Sequence, residues 1–170
     1  MTTIAFLGLG NMGGPMAANL VSAGHTVNGF DPVPALKEAA QANGANVFDS
    51  GASAAAEADV VITSLPNGAI VKAAYAEILP VAKDGALLID TSTISVDDAR
   101  DIHAQAAERG LAQLDAPVSG GIKGAAGTVC TPPPPSVWRG ARRDRQPRLS
   151  TSVVHSPSRS SRWRRNPQAR

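Results

Sequence analysis

The chain is poor in the residues from which disulfide scaffolds, structural metal sites and membrane spans are made. Its 170 residues include a single cysteine, Cys130, which has no internal partner for a disulfide and no CxxC or histidine spacing around it. That thiol reads as incidental, and no metal is expected. No apolar run approaches the ~18 residues that a membrane-spanning helix needs. Met1-Thr2-Thr3 leads directly into Ile4-Ala5-Phe6-Leu7, without the basic segment that opens a secretory signal. A cytoplasmic protein with no membrane partner is the expectation. Aromatic residues make up only 4%, so any core must be built mainly from aliphatic side chains and alanine.

What is present divides into two unlike parts. Up to Thr128 the chain carries six basic and thirteen acidic residues; from Val129 on it carries ten and one, so the overall +2 conceals opposite charges. The first part is rich in Ala, Gly, Val and Leu and holds every Phe and Tyr. A body of that size removes roughly two-thirds of its unfolded surface from water. The second part has seven of the thirteen prolines, both tryptophans, ten arginines and no lysine, too little apolar surface to offset the entropy of ordering. The expected organisation is one folded domain over residues 1–128 and a disordered, basic, Pro/Arg-rich tail over 129–170.

Within the first part, short apolar runs alternate with helix-period segments. Strands are expected at Ile4–Leu7, Thr26–Phe30, Ala45–Phe48, Val60–Ser64, Ala86–Asp90 and Ala112–Asp115. Met12, Met16, Leu20 and Ala23 share helical spacing, Pro15 falls in the first turn where its missing N–H is harmless, and Gly24 can close the helix. Further helices are expected near Pro34–Asn43, Ala52–Ala58, Gly68–Ile78 and Val96–Arg109. Ser95 with Asp98 forms a weaker version of the capping box there. Parallel strands need connections that return over the sheet, so this rhythm predicts an α/β fold, a doubly wound, mostly parallel sheet of Rossmann type.

The first strand runs into Gly8-Leu9-Gly10-Asn11-Met12-Gly13, a GxGxxG that opens a helix. In that context Gly8 permits the tight turn, Gly10 lets a pyrophosphate approach the backbone, and Gly13 allows close helix–strand packing. Asp31 ends the second strand near the ~20-residue offset expected of a carboxylate that binds the adenosine ribose. Its charge repels a 2′-phosphate and no arginine follows it, which favours NAD over NADP. Leu65-Pro66-Asn67, Thr91-Ser92-Thr93-Ile94 and Asp115-Ala116-Pro117-Val118-Ser119-Gly120-Gly121 stand at later strand ends, where loops border the ligand crevice of an open sheet. Ser119 with two glycines offers a hydroxyl and approachable amides, suited to a small carboxylate.

Taken in order, GLGNMGGPMAANL (Gly8–Leu20), Asp31, LPN (Leu65–Asn67), DTSTI (Asp90–Ile94) and DAPVSGG (Asp115–Gly121) resemble the β-hydroxyacid dehydrogenase family. The likeness runs from about residue 3 to Thr128, and the DAPVSGG stretch is far more specific than the glycine fingerprint. It implies that Gly8, Leu9, Gly10, Asn11, Met12, Gly13 and Asp31 hold NAD. It further implies that Leu65, Pro66 and Thr93 line the cofactor and that Ser119, Gly120 and Gly121 meet the substrate carboxylate. The implied reaction is reversible oxidation of a small 3-hydroxy acid, 3-hydroxyisobutyrate of valine breakdown or a close relative, to its semialdehyde.

The resemblance also implies a proton-handling lysine on a later helix and an all-helical domain that makes the family's dimer. Neither is found in this sequence, so no catalytic residue is assigned; that counts against turnover by this chain alone and against a family-type dimer. Lys37, Lys72 and Lys83 read as solvated helix or turn lysines, Lys123 as an exposed loop charge, and His25 and His103 as remote from the strand ends. After Gly127-Thr128 the likeness gives way to four consecutive prolines, Pro132–Pro135, and an arginine-rich stretch with the look of a reading frame translated out of register. Two other readings stand beside the dehydrogenase: an NAD-binding remnant without turnover, and, less favoured, a nucleic-acid-binding module acting through Trp138 and Arg162-Trp163-Arg164-Arg165.

Overall fold

The computed structural model describes residues 1–127. The expectations for the tail, including Cys130, the proline run and the Arg/Trp cluster, fall outside the described residues. Six strands, β1 (Thr3–Leu7), β2 (Thr26–Phe30), β3 (Asn46–Val47), β4 (Val60–Thr63), β5 (Leu87–Asp90) and β6 (Ala112–Asp115), form one sheet in the order β3-β2-β1-β4-β5-β6. Every pairing is parallel. The chain winds outward from β1 to β3, then crosses back and winds outward again from β4 to β6, so the order reverses between β1 and β4. This is the expected Rossmann-type α/β architecture.

Helices cover both faces. α1 (Gly13–Ser22) and α2 (Pro34–Ala42) pack on one face around Phe6, Leu9, Ala17, Val27 and Ala40. α3 (Gly51–Ala55), α4 (Gly68–Ile78) and α5 (Val96–Glu108) pack on the other around Ala5, Leu7, Val61, Val71, Tyr75, Leu88 and Ile102. With side chains alternating along each strand, Phe6 serves the first core while Ala5 and Leu7 serve the second, which is why β1 is buried along nearly its whole length.

Three elements depart from the sequence expectation. β3 has two residues rather than four, because Asp49 and Ser50 already turn the chain into α3, where the Ser50 side chain caps the Ser53 amide. α3 stops at Ala55 because the Ala58 amide reaches back only three residues, to the Ala55 carbonyl, before Asp59 joins the sheet through the Thr3 carbonyl. A short helix, α6 (Gly121–Ala126), forms where only a loop was expected. It docks on α1 through the Asn19 side-chain amide, which donates to the Ala125 carbonyl at 2.9 Å. Among the described residues no helix is long and apolar enough to cross a membrane.

Candidate functional site

The carboxyl ends of β2, β1, β4, β5 and β6 follow one another along one edge, four strand spacings or about 19 Å in all. Asp31, Gly8, Ser64, Thr91 and Ala116 are the first residues beyond these strands. The ladder continues through them, with the amides of Gly8, Ser64, Thr91 and Ala116 donating to Phe30, Leu7, Thr63 and Asp90 at 2.8–3.0 Å. The strand-end residues singled out in the sequence thus share one edge, beside the point where strand order reverses.

Within the glycine turn each glycine meets a different constraint. Gly8 has φ +92°, and a Cβ there would run into the Ser64 carbonyl oxygen and the Leu65 side chain. A Cβ on Gly13, the first residue of α1, would collide with the Gly8 carbonyl and the Phe6 ring. A Cβ on Gly10 would meet nothing within 4 Å. The protein's own packing therefore explains two of the glycines and leaves Gly10 unexplained. Leu9 is buried between the turn and β2, Met12 is half-buried at the N-cap of α1, and Asn11 is exposed. At the start of α1 the Gly14 amide donates to the Gly10 carbonyl at 2.9 Å and Pro15 has no N–H, so the amides left facing the turn are those just before it, at Asn11, Met12 and Gly13.

Asp31 is 7% exposed and ties β2 to this turn. Its Oδ2 accepts the Leu9 amide at 2.9 Å and its Oδ1 the Val33 amide at 2.9 Å. Each carboxylate oxygen keeps a second lone pair for a hydroxyl donor. Across the switch point, Leu65 is half-buried and Pro66 exposed, and Asn67 caps α4 by accepting the Ile70 amide at 3.0 Å. Thr93 is exposed and follows the buried Thr91 and Ser92. Ser119 is exposed; Gly120 (φ +112°) and Gly121 (φ +59°) both lie in the left-handed region and lead into α6. This last group leads into α6, which packs on α1. Ile122 of α6 lines a groove of about 350 Å³ with Gly10 and Asn11 of the glycine turn, Pro15 of α1 and Leu36 of α2. Asp31, Leu65, Thr93 and Ser119 do not line this groove, which flanks the turn on the side of α1, α2 and α6.

Residues 3–131 match the family described as the NAD binding domain of 6-phosphogluconate dehydrogenase. The chain belongs to this family. A curated relative from Mycobacterium tuberculosis, named probable 3-hydroxyisobutyrate dehydrogenase, is 62% identical over 126 residues, covering 74% of this chain and 43% of the relative. The Pseudomonas aeruginosa 3-hydroxyisobutyrate dehydrogenase is 50% identical over 133 residues, covering 76% and 45%. A solved structure of the Mycobacterium tuberculosis 3-hydroxyisobutyrate dehydrogenase with L-serine matches with a TM-score of 0.75 and 60% identity, over 76% of this chain and 45% of that one. The chain spans a little under half the length of these relatives. The likeness to hydroxyacid dehydrogenases expected from the motifs is borne out over this N-terminal stretch.

As a member of the family, the chain carries an NAD-binding domain, and NAD is its cofactor. The geometry fits that group: a turn whose middle glycine has open space above it, a ten-residue helix beginning there, and a buried acid with unused acceptor capacity at the adjacent strand end.

The lysines differ from the sequence reading. Lys72 is not simply solvated but reaches Asp98 at 2.7 Å and Asp101 at 2.8 Å; Lys83 reaches Asp59 at 2.8 Å, and Lys37 lies 3.6 Å from Asp49. Hydrogen bonds to their acids hold the Lys72 and Lys83 ammonium groups above the ordinary lysine range. Lys123 is exposed on α6 rather than in a loop. His103 hydrogen-bonds Gln113 at 3.2 Å, on the α5–β6 side. Among the described residues no group of three or more His, Cys, Asp or Glu side chains is placed to hold a metal ion.

Sequence reasoning placed Asp90 and Ser92 within strand-end segments but gave neither a role of its own. Asp90 Oδ1 accepts from Thr63 Oγ1 at 2.7 Å, Ser92 Oγ at 2.6 Å and the Ser92 amide at 3.1 Å. The only signal for them was their place in the DTSTI stretch; the contacts come from the register of β4 against β5.

Proposed function

We propose that this chain is the cofactor half of an NAD-linked 3-hydroxy acid dehydrogenase, an oxidoreductase that interconverts 3-hydroxyisobutyrate, or a close 3-hydroxy acid, and its semialdehyde. The observation that carries the reading is Asp31, whose buried carboxylate holds the Leu9 amide inside the glycine turn. One residue thereby couples a phosphate-facing backbone to a ribose-facing acid. The Asn11 and Met12 amides, just ahead of α1, take the pyrophosphate, Gly10 gives it room, and Asp31 takes the ribose hydroxyls. Leu65, Pro66 and Thr93 border the rest of the cofactor. Bound NAD supplies the hydride acceptor; the protein supplies binding, orientation and exclusion of water.

The substrate class follows from the relatives' names and from one loop. 3-Hydroxyisobutyrate and L-serine, which those names carry, are both 3-hydroxy carboxylates. The Ser119 hydroxyl and the Gly120 and Gly121 amides suit a carboxylate, the feature such substrates share. Removing the hydroxyl proton needs a base at that oxygen. Lys37, Lys72 and Lys83 are engaged by acids, which supports the second reading, an NAD-binding remnant without turnover.

Calorimetric titration with NADH and NADPH, followed by a turnover assay with NAD and 3-hydroxyisobutyrate, tests both readings. NADH is expected to bind more tightly than NADPH. Binding without turnover favours the remnant, and turnover favours the complete activity. Equal or preferential NADPH binding would overturn the role given to Asp31.

A further inference from the structure

The loops after β4 and β5 both border the proposed cofactor edge, yet the backbone ladder that joins these strands ends at the Thr91 amide on the Thr63 carbonyl, 2.8 Å apart. Beyond it, the connection between the loops passes through side chains. Ser92 Oγ accepts the Leu65 amide at 2.9 Å and donates to Asp90 Oδ1 at 2.6 Å. The same oxygen takes the Ser92 amide and the Thr63 hydroxyl. Asp90 and Thr63 are 1% exposed and Ser92 5%. A carboxyl group so deeply buried is tolerable only with donors around it, and Asp90 Oδ1 gathers three of them. Leu65 in turn lies under the glycine turn, for its side chain and the Ser64 carbonyl are what a Cβ on Gly8 would strike.

We propose that Asp90 and Ser92 are positioning residues for NAD binding: Asp90 orients Ser92, Ser92 fixes the Leu65 amide, and Leu65 sets the floor on which the Gly8 turn rests. The inference rests on the reading that this edge holds NAD, and it adds two residues that touch no part of the cofactor. The arrangement uses one oxygen of Asp90. The other, Oδ2, is buried with no partner among the described residues, as is the Tyr75 hydroxyl. Asp90→Asn therefore keeps the acceptor that matters, whereas Ser92→Ala removes the group that bridges the loops and leaves the Leu65 amide unsatisfied.

The test compares the full chain with Ser92→Ala and Asp90→Asn by three readouts: NADH affinity by calorimetry, melting temperature, and hydrogen exchange at the Leu65 amide with the Val27 amide of β2 as reference. For Ser92→Ala we expect a folded protein, NADH affinity about tenfold weaker, and Leu65 exchange about tenfold faster with Val27 unchanged. Asp90→Asn is expected to stay within about threefold of the parent in both. The proposal is overturned if Ser92→Ala binds NADH as the parent does, if affinity falls with Leu65 exchange unchanged, or if Leu65 and Val27 exchange accelerate together. Should Ser92→Ala fail to fold, Ser92→Cys, of similar size but a weaker acceptor, carries the same comparison. A parent that binds no NADH would defeat the underlying functional reading, while the Leu65 exchange result would still decide whether the bridge orders the loop.

Discussion

Three aspartates close strands on the same edge and meet different surroundings. Asp31 divides its oxygens between two backbone amides, and Asp90 gathers three donors on one oxygen. Asp115, the register partner of Asp90 on β6, is exposed to solvent yet has its carboxyl pushed above the ordinary range, first by partial desolvation and then by the charge of Asp90. Because the folded chain holds that proton to higher pH than the unfolded chain does, its contribution favours folding at low pH and is lost as pH rises through the folded value. Asp115→Asn is therefore expected to raise the melting temperature by about 2 °C at pH 7 and to leave it unchanged at pH 3. Scanning calorimetry at the two pH values checks this; a decrease at pH 7 would contradict it. None of these differences can be read from the letters alone, since each depends on which strand lies alongside.

Elements repeat the lesson. β1, β2, α1 and α4 were legible because their signals are local: apolar runs, Pro15 in a first turn, and Gly24, whose φ of +88° closes α1. The glycine turn and Asp31 were legible for the same reason. α6 was not, because Gly120, Gly121, Gly124 and Gly127 read as loop, and its formation depends on Asn19, over a hundred residues earlier. The capping box at Ser95 was half right. Ser95 Oγ accepts the Asp98 amide at 3.1 Å, but the Asp98 carboxylate turns to the Ser95 hydroxyl and to Lys72 of α4. That pair clasps α4 to α5 and holds the Asp98 carboxyl below its ordinary range. The stabilisation is present above the unfolded carboxyl value and lost as pH falls through the folded one. Lys72→Met should lower the melting temperature by about 2 °C at pH 7 in low salt, with the difference gone near pH 2. Thermal melts across that range check it, and a difference that persisted in acid would assign the effect to packing instead.

At the scale of the molecule, the two windings of the sheet put the glycine turn, Asp31 and the bridged loops of β4 and β5 on one edge, and the account stands on that edge being a nucleotide cradle. Gly10 tests the idea most sharply, because the fold itself gives no reason for a glycine there. The decisive measurement is a calorimetric NADH titration of Gly10→Ala beside the parent, with melting temperatures of both. The account predicts a variant that melts within about 2 °C of the parent yet binds NADH at least about tenfold more weakly. A stable variant with unchanged affinity would contradict it.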